Sequence, residues 1–118
     1  MKRNELVNAP PILGPPAHYI HIIWLAAFPG DPHEFYDELD ADRWSIRCVR
    51  VNRDRSSVRF SYRSKNWRDV MPEAAIDTPD AINRDSQFRA REITKEEFED
   101  AWQMENEKYY RGNRPKIR

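Results

Sequence analysis

Three stretches of this chain carry clear apolar patterns. Tyr19-Ile-His-Ile-Ile-Trp-Leu is apolar at nearly every position and rich in β-branched and aromatic residues, the pattern of a central strand covered on both faces. Val58, Phe60 and Tyr62 alternate with Ser57, Arg59, Ser61 and Arg63, the period of a half-buried strand. Phe98, Ala101 and Trp102 follow Thr94-Lys-Glu-Glu; that capping box, with Ile93 and Phe98 as its hydrophobic staple, predicts a helix running to about Tyr109.

The segments between them are read from their punctuation. Phe28-Pro29-Gly30 ends the first strand. Asp31-Pro32-His33-Glu34 then reads as a helix start, with Asp31 as cap, Pro32 in the first turn and Glu34 reaching back. Phe35 and Leu39, four apart, would face the sheet, and this short helix would stop near Asp40. Arg43 to Asn52 and Ser57 to Arg63 form a hairpin turning at Arg53-Asp54-Arg55. A three-residue loop sets Val58, Phe60 and Tyr62 on the face of Trp44, Ile46 and Cys48, whereas a two-residue loop matches them to Val49 and Val51. The first register gathers more apolar area and is preferred. Between Ser64 and Gln87, Pro72 and Pro79 break any long element. Thr78-Pro79-Asp80-Ala81 suits one helical turn, and Phe88 to Ile93 a further short strand.

This order predicts an α+β fold: a small antiparallel sheet packed with one short helix and one longer C-terminal helix. The domain boundaries follow. Residues 1–17 hold Pro10, Pro11, Pro15 and Pro16 and form an extended, flexible arm. Residues 18–110 form a single domain, and residues 111–118 a basic tail. A proline-rich ligand is the sharper reading of the arm, but its prolines lack a nearby Arg.

The net charge is +0, yet its distribution is segregated. Asp31 to Asp42 holds six acids and no base, whereas Arg43 to Val70 holds nine bases against Asp54 and Asp69. From Glu96 to Glu107 all charged residues are acidic, and Lys108 to Arg118 is basic throughout. Such sorting acts on partners more than on the fold. Charged residues make up 34% of the chain, so much of the surface is ionic. A lone Cys48 permits no internal disulfide and suits a reducing compartment. No secretory leader follows Met1-Lys2-Arg3, and Tyr19 to Phe28 is too short to span a bilayer, so a cytoplasmic location is expected.

Catalytic chemistry finds little purchase. His18 and His21, three apart on a strand, point to opposite faces and make poor joint metal ligands. Cys48 sits in an apolar alternation and reads as a buried thiol. The chain has three glycines and no phosphate loop. Neither a catalytic residue, a metal site nor a cofactor is implied.

Tyr19-Ile-His-Ile-Ile-Trp-Leu, Phe35-Tyr-Asp-Glu-Leu-Asp-Ala-Asp-Arg-Trp and Arg91-Glu-Ile-Thr-Lys-Glu-Glu-Phe-Glu-Asp-Ala-Trp resemble a family of small bacterial domains without an assigned activity. That family shares a Tyr-x-Glu-Leu-Asp segment, an Arg-rich strand and a closing Glu-Ile-Ser/Thr-x-Glu-Glu-Phe helix. The likeness covers about residues 18 to 102. The hairpin turn lacks the family's usual Gly, and Ser64 to Asp77 has no counterpart. By analogy with small domains of this kind, the resemblance implies an immunity-type protein that binds and silences a toxin domain.

Two binding functions are therefore expected in order. The first is a non-enzymatic protein-binding module, an immunity-type toxin inhibitor, whose acidic helix occludes a basic cleft through Glu34, Asp37, Glu38, Asp40 and Asp42. The alternative is a nucleic-acid-binding domain using Arg59, Arg63, Lys65, Trp67 and Arg68, a basic strip with an aromatic for stacking. Overall neutrality favours the first. The oligomeric state is not legible.

Overall fold

In the computed structural model of the chain, which describes residues 11–103, β1 (His18–Trp24) occupies the interior position its apolar run predicts. It pairs with β2 (Glu34–Leu39), which pairs with β3 (Ser45–Val51), which pairs with β4 (Ser57–Ser61). β5 (Phe88–Glu92) returns to the free side of β1. All pairs are antiparallel, and the spatial order is β4-β3-β2-β1-β5. A four-strand meander with its last strand beside the first keeps neighbours in sequence adjacent and needs one long connection, residues 62–87.

That connection holds two single-turn helices, α1 (Trp67–Val70) and α2 (Pro79–Ile82). As its sequence predicts, α2 starts at a capping Thr78, whose Oγ1 accepts from the Ala81 N–H, with Pro79 in the first turn. α3 begins at residue 95 and continues to the last described residue, 103. Its capping box is formed on both sides: the Glu97 N–H donates to Thr94 Oγ1 at 3.0 Å, and the Thr94 N–H to Glu97 Oε1 at 2.9 Å. The predicted helix end near Tyr109, the basic tail and residues 1–10 of the arm lie outside the described residues. Further along that arm, Gly14 donates to Asp40 Oδ2 and Ala17 to the Leu39 carbonyl.

The predicted helix from Asp31 to Asp40 does not form; its residues make β2. A local cap at Asp31 satisfies one turn of backbone, whereas a strand between β1 and β3 has its backbone groups paired on both sides. The acids tolerate that interior position because cations and hydroxyls meet them across the strands. At the hairpin, Cys48 pairs with Phe60 and Arg50 with Val58, so Phe60 shares the Cys48 face, as in the preferred register. The three-residue loop is present, with Arg55 at φ 73° in the left-handed region that glycine favours. A bulge between Glu38 and Leu39 interrupts the alternation toward Ile46 and Trp44.

Both faces of the sheet are covered. α3 lies over the face of Tyr19, Glu38, Arg47 and Arg59: Phe98 packs 5.7 Å from the Tyr19 ring, and Arg47 stacks on Phe98 and Trp102. Phe98 is fully buried and contributes about 2 kcal/mol of apolar burial. The connection covers the other face, where Ile20, Leu39, Cys48 and Met71 are buried. Arg50 donates there to the Val70 carbonyl, and Arg43 to the carbonyls of Ile76 and Asp77.

Candidate functional site

The five acids expected to form a docking helix stand on or beside a strand, and four of them are engaged inside the fold. Glu34 Oε1 lies 2.8 Å from His21 Nε2, and its Oε2 accepts from Arg55 at 2.9 Å. Burial opposes the Glu34 charge, but the His21 and Arg55 hydrogen bonds outweigh it and hold the carboxyl below its usual range. Tyr36 stacks on His21 at 4.3 Å and its hydroxyl reaches Glu34. Glu38 accepts two bonds from Arg47, at 2.7 and 2.9 Å, and Arg47 also donates to Glu99 at 2.6 Å. These bonds, with Glu38 foremost, raise the guanidinium's pKa still further.

Asp37 is 4% exposed and accepts from Ser45 Oγ at 2.7 Å. Burial pushes its pKa up to about 6, against the pull of Ser45 and Arg50. Asp40 is buried and accepts from the N–H groups of Asp42, Trp44 and Gly14. Asp42 alone of the five is exposed. Glu34 and Glu38 are thus paired with arginines, Asp37 with a hydroxyl and Asp40 with backbone N–H groups, and β2 presents no acidic face to a partner.

The basic strip is divided as well. Arg59 pairs with Val49 on the α3 face, where its guanidinium lies 4.7 Å from the Trp102 ring. Trp67 and Arg68 belong to α1, whose last residue, Val70, accepts through its carbonyl from Arg50 on the opposite face of the sheet, with Trp67 edge-on to Tyr62 at 5.3 Å. Arg63 and Lys65 are exposed in the turn between β4 and α1. Arg59 and the Trp67–Arg68 pair therefore do not share one surface.

His18 and His21 fall on opposite faces, and among the described residues no three His, Cys, Asp or Glu converge to hold a metal ion. Cys48 is buried, and burial, reinforced by Asp37, pushes its thiol up to about 12. No helix among the described residues is long and apolar enough to cross a membrane.

The acids that face solvent are elsewhere. Glu73, Asp77, Asp80 and Asp85 are exposed along the connection, and among the described residues none of them makes an ion pair. Arg43, which reaches this segment, is engaged by the Ile76 and Asp77 carbonyls and by Glu92. Arg84 is the sole base between Glu73 and Asp85. Asp77 and Asp85 border a cavity of about 370 Å³ between α2 and the sheet, walled by Ile22, Ile76, Ile82 and Phe88. The recess is therefore apolar at its floor and rimmed by carboxylates without ion-pair partners among the described residues. Periodicity does not reveal it, because proline-broken segments carry no period. The count of four acids to one base over thirteen residues was a usable signal.

A family described as a domain of unknown function, DUF6881, matches residues 18–107. No curated protein matches the chain, and no solved structure does.

Proposed function

The chain belongs to the DUF6881 family, a domain of unknown function, and we propose that it is a non-enzymatic protein-binding module for a partner with a basic surface. One observation carries the reading. The acids of β2 are engaged by His21, Arg55, Ser45 and Arg47, whereas Glu73, Asp77, Asp80 and Asp85 face outward around an apolar recess. A surface of this sign steers a basic partner and fixes its register. An immunity-type inhibitor lying over the basic cleft of a toxin domain is the form of this function that the sequence resemblance implies, with the docking face on the connection instead of β2. The nucleic-acid alternative draws less support, since its aromatic and its first arginine stand on opposite sides of the sheet.

The test is affinity capture with the tagged full chain from cells that naturally express it. The expected result is one dominant protein, recovered by the native chain and reduced at least tenfold for Asp77→Lys with Asp80→Lys, at unchanged melting temperature. Recovery indifferent to that reversal, or recovery of nucleic acid instead of protein, would overturn the proposal.

A further inference from the structure

The recess between α2 and the sheet has a definite construction. Its floor is Ile22 of β1 and Phe88 of β5, and Trp24 stacks behind Phe88 at 6.2 Å. Its roof is Ile76 with Ala81 and Ile82 of α2. α2 is held in place by Asn83, whose side-chain amide donates to the Ala90 carbonyl at 2.9 Å and accepts from the Ala90 N–H at 2.7 Å. Asn83 thus acts as a one-residue strand that closes the outer edge of β5. With α2 pinned at that edge and only Ala81 as filler, space remains over Ile22 and Phe88.

We propose that this recess receives one apolar side chain of the partner, with a Lys or Arg next to it in sequence resting against Asp77 and Asp85. The inference rests on the protein-binding reading and identifies the recess as the anchor point of that interface. Two observations and one general property of interfaces converge on this occupant. Apart from the two rim carboxylates its lining is aliphatic and aromatic, and its volume of about 370 Å³, open to solvent on one side, admits a single large side chain. Burying an apolar anchor in a pocket is how a few residues dominate an interface. Both rim groups are carboxylates; among the described residues the Asp77 side chain has no hydrogen-bond or ion-pair partner, and the Asp85 carboxylate accepts only from the Gln87 N–H. A cation beside the anchor complements them, and an acid there is repelled.

Two probes test this on the full chain: N-acetyl-Trp-Lys-amide and N-acetyl-Trp-Glu-amide, titrated into isotope-labelled protein and followed by amide shifts. The expected result is shifts centred on Ile22, Ala81, Ile82 and Phe88, with the Lys probe binding at least fivefold tighter. Filling the recess by Ala81→Trp should abolish these shifts. Ala75→Leu, on the exposed loop beside it, should do the same without touching α2. Equal affinity for the two probes, shifts centred elsewhere, or no shift at millimolar probe would overturn the inference. A partner still captured by Ala81→Trp would overturn the anchor and leave the protein-binding reading intact. Probe binding with no captured partner would do the reverse.

Discussion

Asp37→Asn isolates the cost of placing a carboxylate between β1 and β3. The side chain is 4% exposed, accepts one hydroxyl hydrogen bond from Ser45, and has Arg50 as its compensating charge. Burial wins, and its pKa rises from 3.8 to about 6. The sign follows from linkage. The folded state holds this proton more tightly than the unfolded chain, so the associated stability is fully present below pH 3.8 and is lost as pH rises through 6. Two pKa units correspond to about 3 kcal/mol over the whole range, of which roughly 1 kcal/mol falls between pH 5 and pH 7. Asparagine keeps the Ser45 acceptor and carries no charge. Urea unfolding followed by tryptophan fluorescence at pH 5, 6 and 7 should therefore show Asp37→Asn gaining on the native chain by about 1 kcal/mol as pH rises. Comparing the two chains at each pH cancels the contribution of every other titrating group. A difference that stays flat, or that falls with pH, would mean that the native state holds Asp37 charged against Arg50, and the reasoning would fail.

Other expectations follow from the same contacts. Arg47→Met leaves Glu38, whose side chain is 5% exposed, without its cation and should cost about 3 kcal/mol in urea unfolding; Arg47→Met with Glu38→Gln should recover part of that loss. Arg55→Gly relieves a left-handed φ of 73° worth about 1 kcal/mol and gives up a half-exposed ion pair to Glu34 worth about 0.5 kcal/mol. Its melting temperature should hold or rise, and Arg55→Val should lower it. The Cys48 thiol, pushed up to about 12 by burial and Asp37, should resist an aromatic disulfide reagent at pH 8 in the folded protein and react fully in urea.

Local signals carried most of the fold. The apolar run of β1, the alternation of β4, the three-residue hairpin loop and the Thr94–Glu97 capping box are each written within a few residues, and each forms. The evidence for β2 is not local. Asp31-Pro32-x-Glu34 imitates a helix start, and Asp37 and Glu38 look like solvated groups until β1 and β3 are laid beside them. Then Tyr19 pairs with Glu38, Glu38 with Arg47, and Asp37 with Cys48. Glu34 and Glu38, followed at hairpin distance by Arg47 and Arg55, become two cross-strand ion pairs, and no local pattern distinguishes such acids from solvated ones. The recess under α2 depends on where a 26-residue connection crosses the sheet, which no periodicity reports.

The proposed docking surface is the acidic connection, on the face opposite α3. Amide hydrogen exchange of the chain, free and bound to its captured partner, tests it most directly. Slowed exchange concentrated in residues 73–88, with β2 and β3 unchanged, is the expected result. Protection centred instead on α3, or on the turn between β4 and α1, would contradict it.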